Sequence, residues 1–218
     1  PSTSAAKVLP GADGALDKET IKHIKAVLQE FYGITDANEV RECLQEMVHP
    51  NAMGEVLKTF LASVIERKES DRNNFIAMLP SLHFEEPRLL SKELAQQGFT
   101  SFLMDLDDII IDVPLAGANS AAVLACLLRG DIVSLNVVTT PEFFDSYRAA
   151  EYVAQVLSHF VAQCEAVEEG TGQASAEKVL RASKLDMANI GAAMAPKESR
   201  DEYFKGLQDK YGLKFQLV

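Results

Sequence analysis

The chain has 218 residues, of which 47% are hydrophobic and 24% are charged, and its formal net charge is −11. A chain of this length and hydrophobic content can bury enough apolar surface to fold, which excludes disorder along the whole chain. The excess of acidic residues argues against a protein that binds nucleic acid through clustered Lys and Arg, and it favours a basic protein partner.

Hydrophobic periodicity predicts helices along most of the chain. Residues 1–16 are small and polar and include two Gly and two Pro, so they are predicted to be a flexible tail. From Asp17 onward apolar residues recur three and four positions apart, and Gly33 stands where a first helix would end on a left-handed residue. The next three helices are predicted to begin at Asp36, Pro50 and Ser70.

Proline and glycine mark the later boundaries. A fifth helix is predicted from Pro87 to just before Gly98. A sixth is predicted at residues 99–113, where Pro114 ends it. Residues 131–140 are rich in β-branched side chains but stand alone among helices, and they are interpreted as a connector. The other helices are predicted at residues 116–129, 141–164, 174–182, 185–193 and 199–211.

Helices joined by short loops, with no alternation of strands and helices, predict an all-α fold of stacked antiparallel helix pairs. We predict a helical domain at residues 17–140 and a C-terminal extension of additional helices at residues 141–218. No apolar run approaches the length of about 20 residues that a membrane helix needs. Because the chain begins at Pro1 rather than Met, it is interpreted as a piece of a larger protein.

The most informative stretch is residues 99–116, FTSFLMDLDDIIIDVPLA. On a helix its apolar residues form a core-facing stripe, and Asp105, Asp108 and Asp112 fall on a second stripe. Like charges at this spacing near a helix C-terminus cost a few tenths of a kcal/mol each, and no Lys or Arg occurs at residues 93–128. Two interpretations stay open: a solvated polar face, or a docking strip for Arg and Lys of a partner.

An enzymatic interpretation must also be weighed. Asp107, Asp108 and Asp112 form a DDxxxD pattern that resembles the first aspartate-rich motif of isoprenoid diphosphate synthases, which are all-α enzymes that hold Mg²⁺. That chemistry needs a second acidic cluster and basic residues for the phosphates, and neither is evident. The histidines form no HExxH pattern, and the three cysteines form no CxxC pair, which is typical of a reducing compartment. We therefore expect no enzymatic activity, no cofactor and no bound metal.

From about Ile21 to Leu135 the chain resembles an MA3 domain. The matching segments include DANEVRECLQEM, PNAMGEVLKTFL and, most specifically, the acidic helix end that runs into an Asp-x-Pro turn in FLMDLDDIIIDVPLA. The resemblance implies an atypical HEAT-like or ARM-like helical stack that binds a DEAD-box RNA helicase of translation initiation. The later segments TTPEFFD, IGAAM and DKYGLKFQL are similar to the region C-terminal to the MA3 domain in the family of eukaryotic translation initiation factor 4 gamma.

The resemblance also implies a binding site. Acidic residues four apart just before the proline contact the helicase in MA3 domains of translational repressors, and these positions match Asp108 and Asp112. Together with the acidic spacing, this predicts a partner-binding site at Asp105, Asp107, Asp108, Asp112 and Pro114. Phe99 and Phe102 are predicted to be core residues.

The predicted function is a cytoplasmic, non-enzymatic docking module of a translation-initiation scaffold. We expect a monomeric fragment whose partner is the helicase, with no nucleic acid or membrane contact of its own. The alternative is the MA3 domain of a translational repressor or splicing factor that acts on a related helicase.

Overall fold

The computed structural model describes residues 9–140, 143, 148–187, 190 and 200–217. Within these ranges the fold is all-α, which confirms the predicted fold class, and none of the described helices is both long and apolar enough to cross a membrane. Two short 3-10 segments occur, at Pro50–Ala52 and Leu135–Thr139. The α-helices are α1 (Lys18–Ile34), α2 (Ala37–Met47), α3 (Met53–Val64), α4 (Glu69–Phe84), α5 (Lys92–Asp112), α6 (Ala116–Arg129), α7 (Ala149–Glu165), α8 (Gly172–Ser183) and α9 (Arg200–Tyr211).

Contacts divide the chain into two compact units, Pro1–Phe99 and Thr100–Val218. This division lies within α5 and differs from the predicted boundaries at residues 16 and 140, which stay predictions. Part of the predicted tail is held by hydrogen bonds: the backbone N–H of His49 donates to the Pro10 carbonyl oxygen at 2.9 Å, and the Asn51 side chain donates to that of Ala12 at 2.9 Å.

In the first unit, α1 packs against α2 and α3, and α4 packs against the same two helices. The predicted start of α2 at Asp36 is confirmed, because the Asp36 carboxylate accepts hydrogen bonds from the backbone N–H groups of Asn38 and Glu39. The predicted end of α1 at Gly33 is wrong: the left-handed residue is Thr35, with φ of 55°. The buried Phe31 is the last core contact of α1, and its carbonyl accepts the Thr35 N–H at 2.6 Å.

The predicted helix start at Ser70 is also wrong. Helix α4 begins one residue earlier, at Glu69, with Lys68 as N-cap residue and Ser70 exposed in the first turn. The backbone N–H groups of Asp71 and Arg72 both donate to the Lys68 carbonyl oxygen at 3.1 Å, so Ser70 already lies inside the first turn and is not the N-cap residue. The nearly buried Asp71 carboxylate also lies 3.6 Å from the Arg67 guanidinium and 3.7 Å from the Lys68 ammonium.

Helix α5 replaces the two helices that were predicted on either side of Gly98. It begins at Lys92, after Ser91, whose hydroxyl accepts the Leu94 N–H at 3.2 Å, and not at Pro87. The chain before Ser91 is non-helical because the buried Leu89 and Leu90 both donate their N–H groups to the Leu82 carbonyl oxygen.

Gly98 does not end a helix; it allows two helices to pack closely. A Cβ atom on Gly98 would lie 3.1 Å from the carbonyl carbon of Gly54 in α3 and closer still to its oxygen. The missing side chain therefore lets the backbones of α3 and α5 approach each other within the first unit.

In the second unit, α7 packs against α6, α8 and α9, and the second 3-10 segment contacts α8. Helix α6 has the predicted bounds. The predicted connector contains the second 3-10 segment, whose buried Leu135, Val137 and Val138 contribute to the core, and the predicted helices at 174–182 and 199–211 correspond to α8 and α9. Most of the predicted helix at 185–193, and most of residues 141–147, lie outside the described residues.

A polar cluster links α7 to α9. The Glu151 carboxylate accepts hydrogen bonds from the Lys210 ammonium at 2.6 Å and from the Tyr211 hydroxyl at 2.7 Å, and Gln155 donates to the same hydroxyl at 2.9 Å. The hydrogen bonds from Lys210 and Tyr211 lower the pKa of Glu151. Because the charged form of Glu151 is favoured in the folded state, its contribution to stability is present above the unfolded pKa of about 4.3 and is lost as pH falls through the lower folded pKa.

We predict that Glu151→Gln reduces the acid sensitivity of the fold. At pH 7 the loss of stability should stay below about 1 kcal/mol, because the pair is partly exposed to solvent. Urea unfolding of both proteins from pH 7 down to pH 3 measures this, and the difference between them should shrink below about pH 4.3. Glu168→Gln, an exposed substitution in the α7–α8 loop, is the control. A difference that grows toward low pH would contradict the prediction.

Candidate functional site

Four exposed carboxylates occupy the last two turns of α5, in the second unit. We call Asp105, Asp107, Asp108 and Asp112 the acidic strip; all four residues are exposed. Asp105, Asp108 and Asp112 share one side of the helix, whereas Asp107 lies on the other side of the exposed face, as the spacing of about 100° per residue requires. The opposite face is buried and includes Leu103 and Leu106, and Phe99 and Phe102 are fully buried core residues, as predicted.

Pro114 lies at the turn that ends the strip. Helix α5 ends at Asp112, and the Ala116 N–H donates to the Val113 carbonyl oxygen at 2.8 Å, so α6 begins within four residues. Proline has no N–H to continue the α5 hydrogen bonds, which accounts for the end of the helix here. The Pro114 residue is exposed, beside the last carboxylate of the strip.

Asp107 has a counter-charge within the chain. The Arg148 guanidinium Nε lies 3.1 Å from an Asp107 carboxylate oxygen, and both side chains are partly exposed. A pair of this kind contributes no more than about 1 kcal/mol. Sequence reasoning found no Lys or Arg near the strip along the chain, and it could not find Arg148, which is 41 residues away from Asp107 and just before α7.

The carboxylates of Asp108 and Asp112 differ from that of Asp107 in their surroundings. Among the described residues, neither carboxylate has an ion pair or a side-chain hydrogen bond. They lie one helical turn apart, with about 6 Å of rise between them. Both therefore present their charge to solvent at the negative end of the helix dipole.

A small cavity of about 200 Å³ lies beside the strip. Tyr152 lines this cavity, and burial raises the pKa of its phenol, which therefore stays neutral. The Tyr152 ring packs edge-on against the Phe143 ring, with 5.2 Å between the centroids. The cavity is smaller than the roughly 300–1,000 Å³ of typical small-molecule sites, but it can admit one side chain of a partner. Its lining residues are Leu106, Ile110, Pro114, Leu115, Gly117, Ala118, Phe143, Arg148, Glu151, Tyr152 and Gln155.

The aspartates of the DDxxxD pattern do not form a metal cluster in this structure. Across the described ranges, no group of three or more His, Cys, Asp or Glu side chains is arranged to hold a metal ion. Asp107 faces Arg148, while Asp108 and Asp112 lie on the other side of the exposed face. The geometry offers no argument for the diphosphate-enzyme interpretation.

Comparison with known proteins finds relatives that share about a quarter to a third of the aligned residues with this chain. A eukaryotic translation initiation factor 4G of Oryza sativa subsp. japonica is 30% identical over 119 residues, which are 55% of this chain and 7% of that protein. Eukaryotic translation initiation factor 4 gamma 3 of Homo sapiens is 25% identical over 123 residues, 56% of this chain and 8% of that protein. A von Willebrand factor A domain-containing protein of Dictyostelium discoideum is 24% identical over 140 residues, 63% of this chain and 7% of that protein.

This chain therefore spans only 7% to 8% of the length of these relatives. The family model of the MA3 domain matches residues 20–134, which are more than half of the chain and include α1 except its first two residues, α2 to α6 and the whole acidic strip. The match confirms the resemblance drawn from the sequence segments. The chain belongs to the MA3 domain family.

Proposed function

We propose that this chain is a protein-interaction module that binds the DEAD-box RNA helicase of translation initiation through the acidic strip and Pro114. The observation that carries the proposal is the pair Asp108 and Asp112, two exposed carboxylates one turn apart at the end of α5. Two of the relatives are named as initiation factors, which supports a role in translation initiation.

The electrostatics of the strip favour a basic partner. Each aspartate at the C-terminal end of α5 is repelled by its neighbours and by the helix dipole, at a cost of a few tenths of a kcal/mol. Arg or Lys side chains of a partner relieve both repulsions, and guanidinium groups can pair with carboxylates in a bidentate geometry. The net charge of −11 also steers a basic partner toward the chain.

Asp107 contributes in a different way from Asp108 and Asp112. Its carboxylate must exchange the Arg148 guanidinium, 3.1 Å away, for a cation of the partner. Because that exchange replaces one ion pair by another, Asp107 adds less to affinity than the other two. The module acts by binding and not by catalysis, within a cytoplasmic scaffold that holds the helicase.

The proposal predicts that Asp108→Ala combined with Asp112→Ala weakens helicase binding by roughly thirtyfold, which corresponds to about 2 kcal/mol. Titration calorimetry with the purified initiation helicase measures this. Thermal stability should be unchanged or slightly raised, because the substitutions remove like charges from the end of α5. Added salt should slow the association of the wild-type chain, since exposed charges steer the encounter.

A matched control distinguishes the effect of the acidic strip on affinity from the effect of net charge. Glu168→Ala with Glu169→Ala removes two exposed carboxylates from the α7–α8 loop of the same unit and should leave the affinity within about twofold. Equal weakening by both double variants would mean that only the overall charge matters. A wild-type chain that does not bind the initiation helicase but binds a splicing helicase would support the alternative parent protein instead.

A further inference from the structure

The exposed face of α5 is not uniformly acidic. Met104 is 53% exposed, Ile111 is 78% exposed and Leu115, at the turn after the helix, is 67% exposed. We call these three residues the apolar stripe. Within the described ranges, seven large apolar or aromatic side chains are strongly exposed, and three of them belong to this one surface.

The apolar stripe runs through the middle of the acidic strip. At 100° per residue, Met104 and Ile111 fall within about 20° of each other on the helix. Asp107 lies to one side of this line, and Asp108 and Asp112 lie to the other. Met104 and Ile111 are separated by about 10 Å along the helix axis, so the stripe extends along the whole length of the carboxylates.

We propose that the apolar stripe and the acidic strip form one docking surface, and that the partner segment carries apolar side chains next to its Lys and Arg residues. This inference rests on the proposed function and specifies the chemistry of the same site. Protein interfaces combine a desolvated apolar centre with a charged rim, and the energy of binding concentrates in the centre. The stripe supplies that centre, and the aspartates supply the rim.

The end of the stripe supports this arrangement. Leu115 also lines the cavity of about 200 Å³, together with Ile110 and Pro114. An apolar side chain of the partner that crosses Leu115 can enter this cavity while a neighbouring cation reaches Asp112. Exposed carboxylates set the register, and the apolar contact adds affinity that salt does not screen.

Electrostatic repulsion disfavours occupants of this surface other than the helicase segment. A second copy of this chain would bring its own four aspartates against the same four, and each chain carries a net charge of −11. An anionic lipid surface would meet the same repulsion. A segment that alternates basic and apolar residues matches both parts of the surface.

The test compares three variants by titration calorimetry with the initiation helicase. Ile111→Ser combined with Leu115→Ser should weaken binding by at least tenfold. Val167→Ser, at a residue that is 73% exposed in the α7–α8 loop, is the matched control and should bind as the wild type does. Asp108→Ala with Asp112→Ala tests the proposed function in parallel. Raising the salt concentration should shrink the effect of the aspartate variant and leave that of the apolar variant.

Circular dichroism should show no lowered melting temperature for any of these variants, because the substituted side chains are exposed. Met104→Gln, which keeps nearly the same shape, gives a second measure of the stripe and should weaken binding by about threefold.

The outcomes distinguish the two proposals. If the aspartate variant loses affinity while the Ile111, Leu115 and Met104 variants bind as the wild type does, this inference is overturned and the proposed function stands. If the wild-type chain does not bind the helicase, or if no variant changes the affinity, the proposed function is overturned and the inference falls with it. A dimer of the wild-type chain in sedimentation, lost in the Ile111 and Leu115 variant, would assign the stripe to a second copy and overturn the inference.

Discussion

Replacing Arg41 by alanine is expected to lower the free energy of unfolding by about 3–5 kcal/mol. Arg41 lies in α2 and is only 6% exposed. Its guanidinium donates hydrogen bonds to the carbonyl oxygens of Ser81, Glu85 and Pro87, at 3.5 Å for Glu85 and 3.3 Å for Pro87. The Arg41 Nε also lies 3.6 Å from the Glu85 carboxylate. Alanine would leave these oxygens at the end of α4 without their donor and would open a cavity.

Two further variants show whether the hydrogen-bond pattern or the charge is responsible. Arg41→Lys keeps the charge but cannot reach several carbonyl oxygens with one ammonium group, so most of the loss should remain. Arg88→Ala removes an exposed arginine of the same unit and should change stability by no more than about 0.5 kcal/mol. Urea unfolding followed by circular dichroism measures all three, and a loss below about 1 kcal/mol for Arg41→Ala would refute the structural role.

Substituting Gly98 by leucine should destabilise the first unit by about 3 kcal/mol or more. The new Cβ atom would lie 3.1 Å from the Gly54 carbonyl carbon and would overlap the carbonyl oxygen, and both are backbone atoms that cannot move aside as a side chain can. Leucine is a better helix former than glycine by close to 1 kcal/mol, so a loss of stability here must come from packing.

Gly33 provides the matched control for Gly98. It is also a helical glycine of the first unit, but a Cβ atom there would meet nothing within 4 Å. Gly33→Leu should therefore leave the free energy of unfolding unchanged or raise it slightly. If both leucine variants are equally stable, the close approach of α3 and α5 at Gly98 does not constrain the fold.

The helices and the acidic strip could be predicted because their signals are local. The carboxylate of Asp36 caps a helix two and three residues away, and Pro114 ends α5 through its own missing N–H. The i, i+3 and i+4 spacing of the buried and acidic residues in α5 follows directly from 3.6 residues per turn. The resemblance to MA3 domains rested on the same segments, and the family match confirms it.

Other expectations failed where a residue has a partner far along the chain. Gly98 looked like a helix end, yet its role depends on Gly54, 44 residues earlier, and a lone glycine does not show which backbone will approach it. Gly33 looked like a left-handed residue, but α1 continues to Ile34 and the left-handed residue is Thr35. At Gly98 tertiary packing overrides the local preference of glycine for helix ends.

The sequence by itself determined the all-α class, the family and the line of aspartates on α5, because each depends on residues within a few turns of one another. Only the tertiary structure decided which carboxylates present free charge. It brought Arg148 to within 3.1 Å of Asp107, left Asp108 and Asp112 facing solvent, and placed an apolar stripe and a cavity beside them. The physical reason is that charge pairing and desolvation act through space at a few ångströms, whatever the distance along the chain.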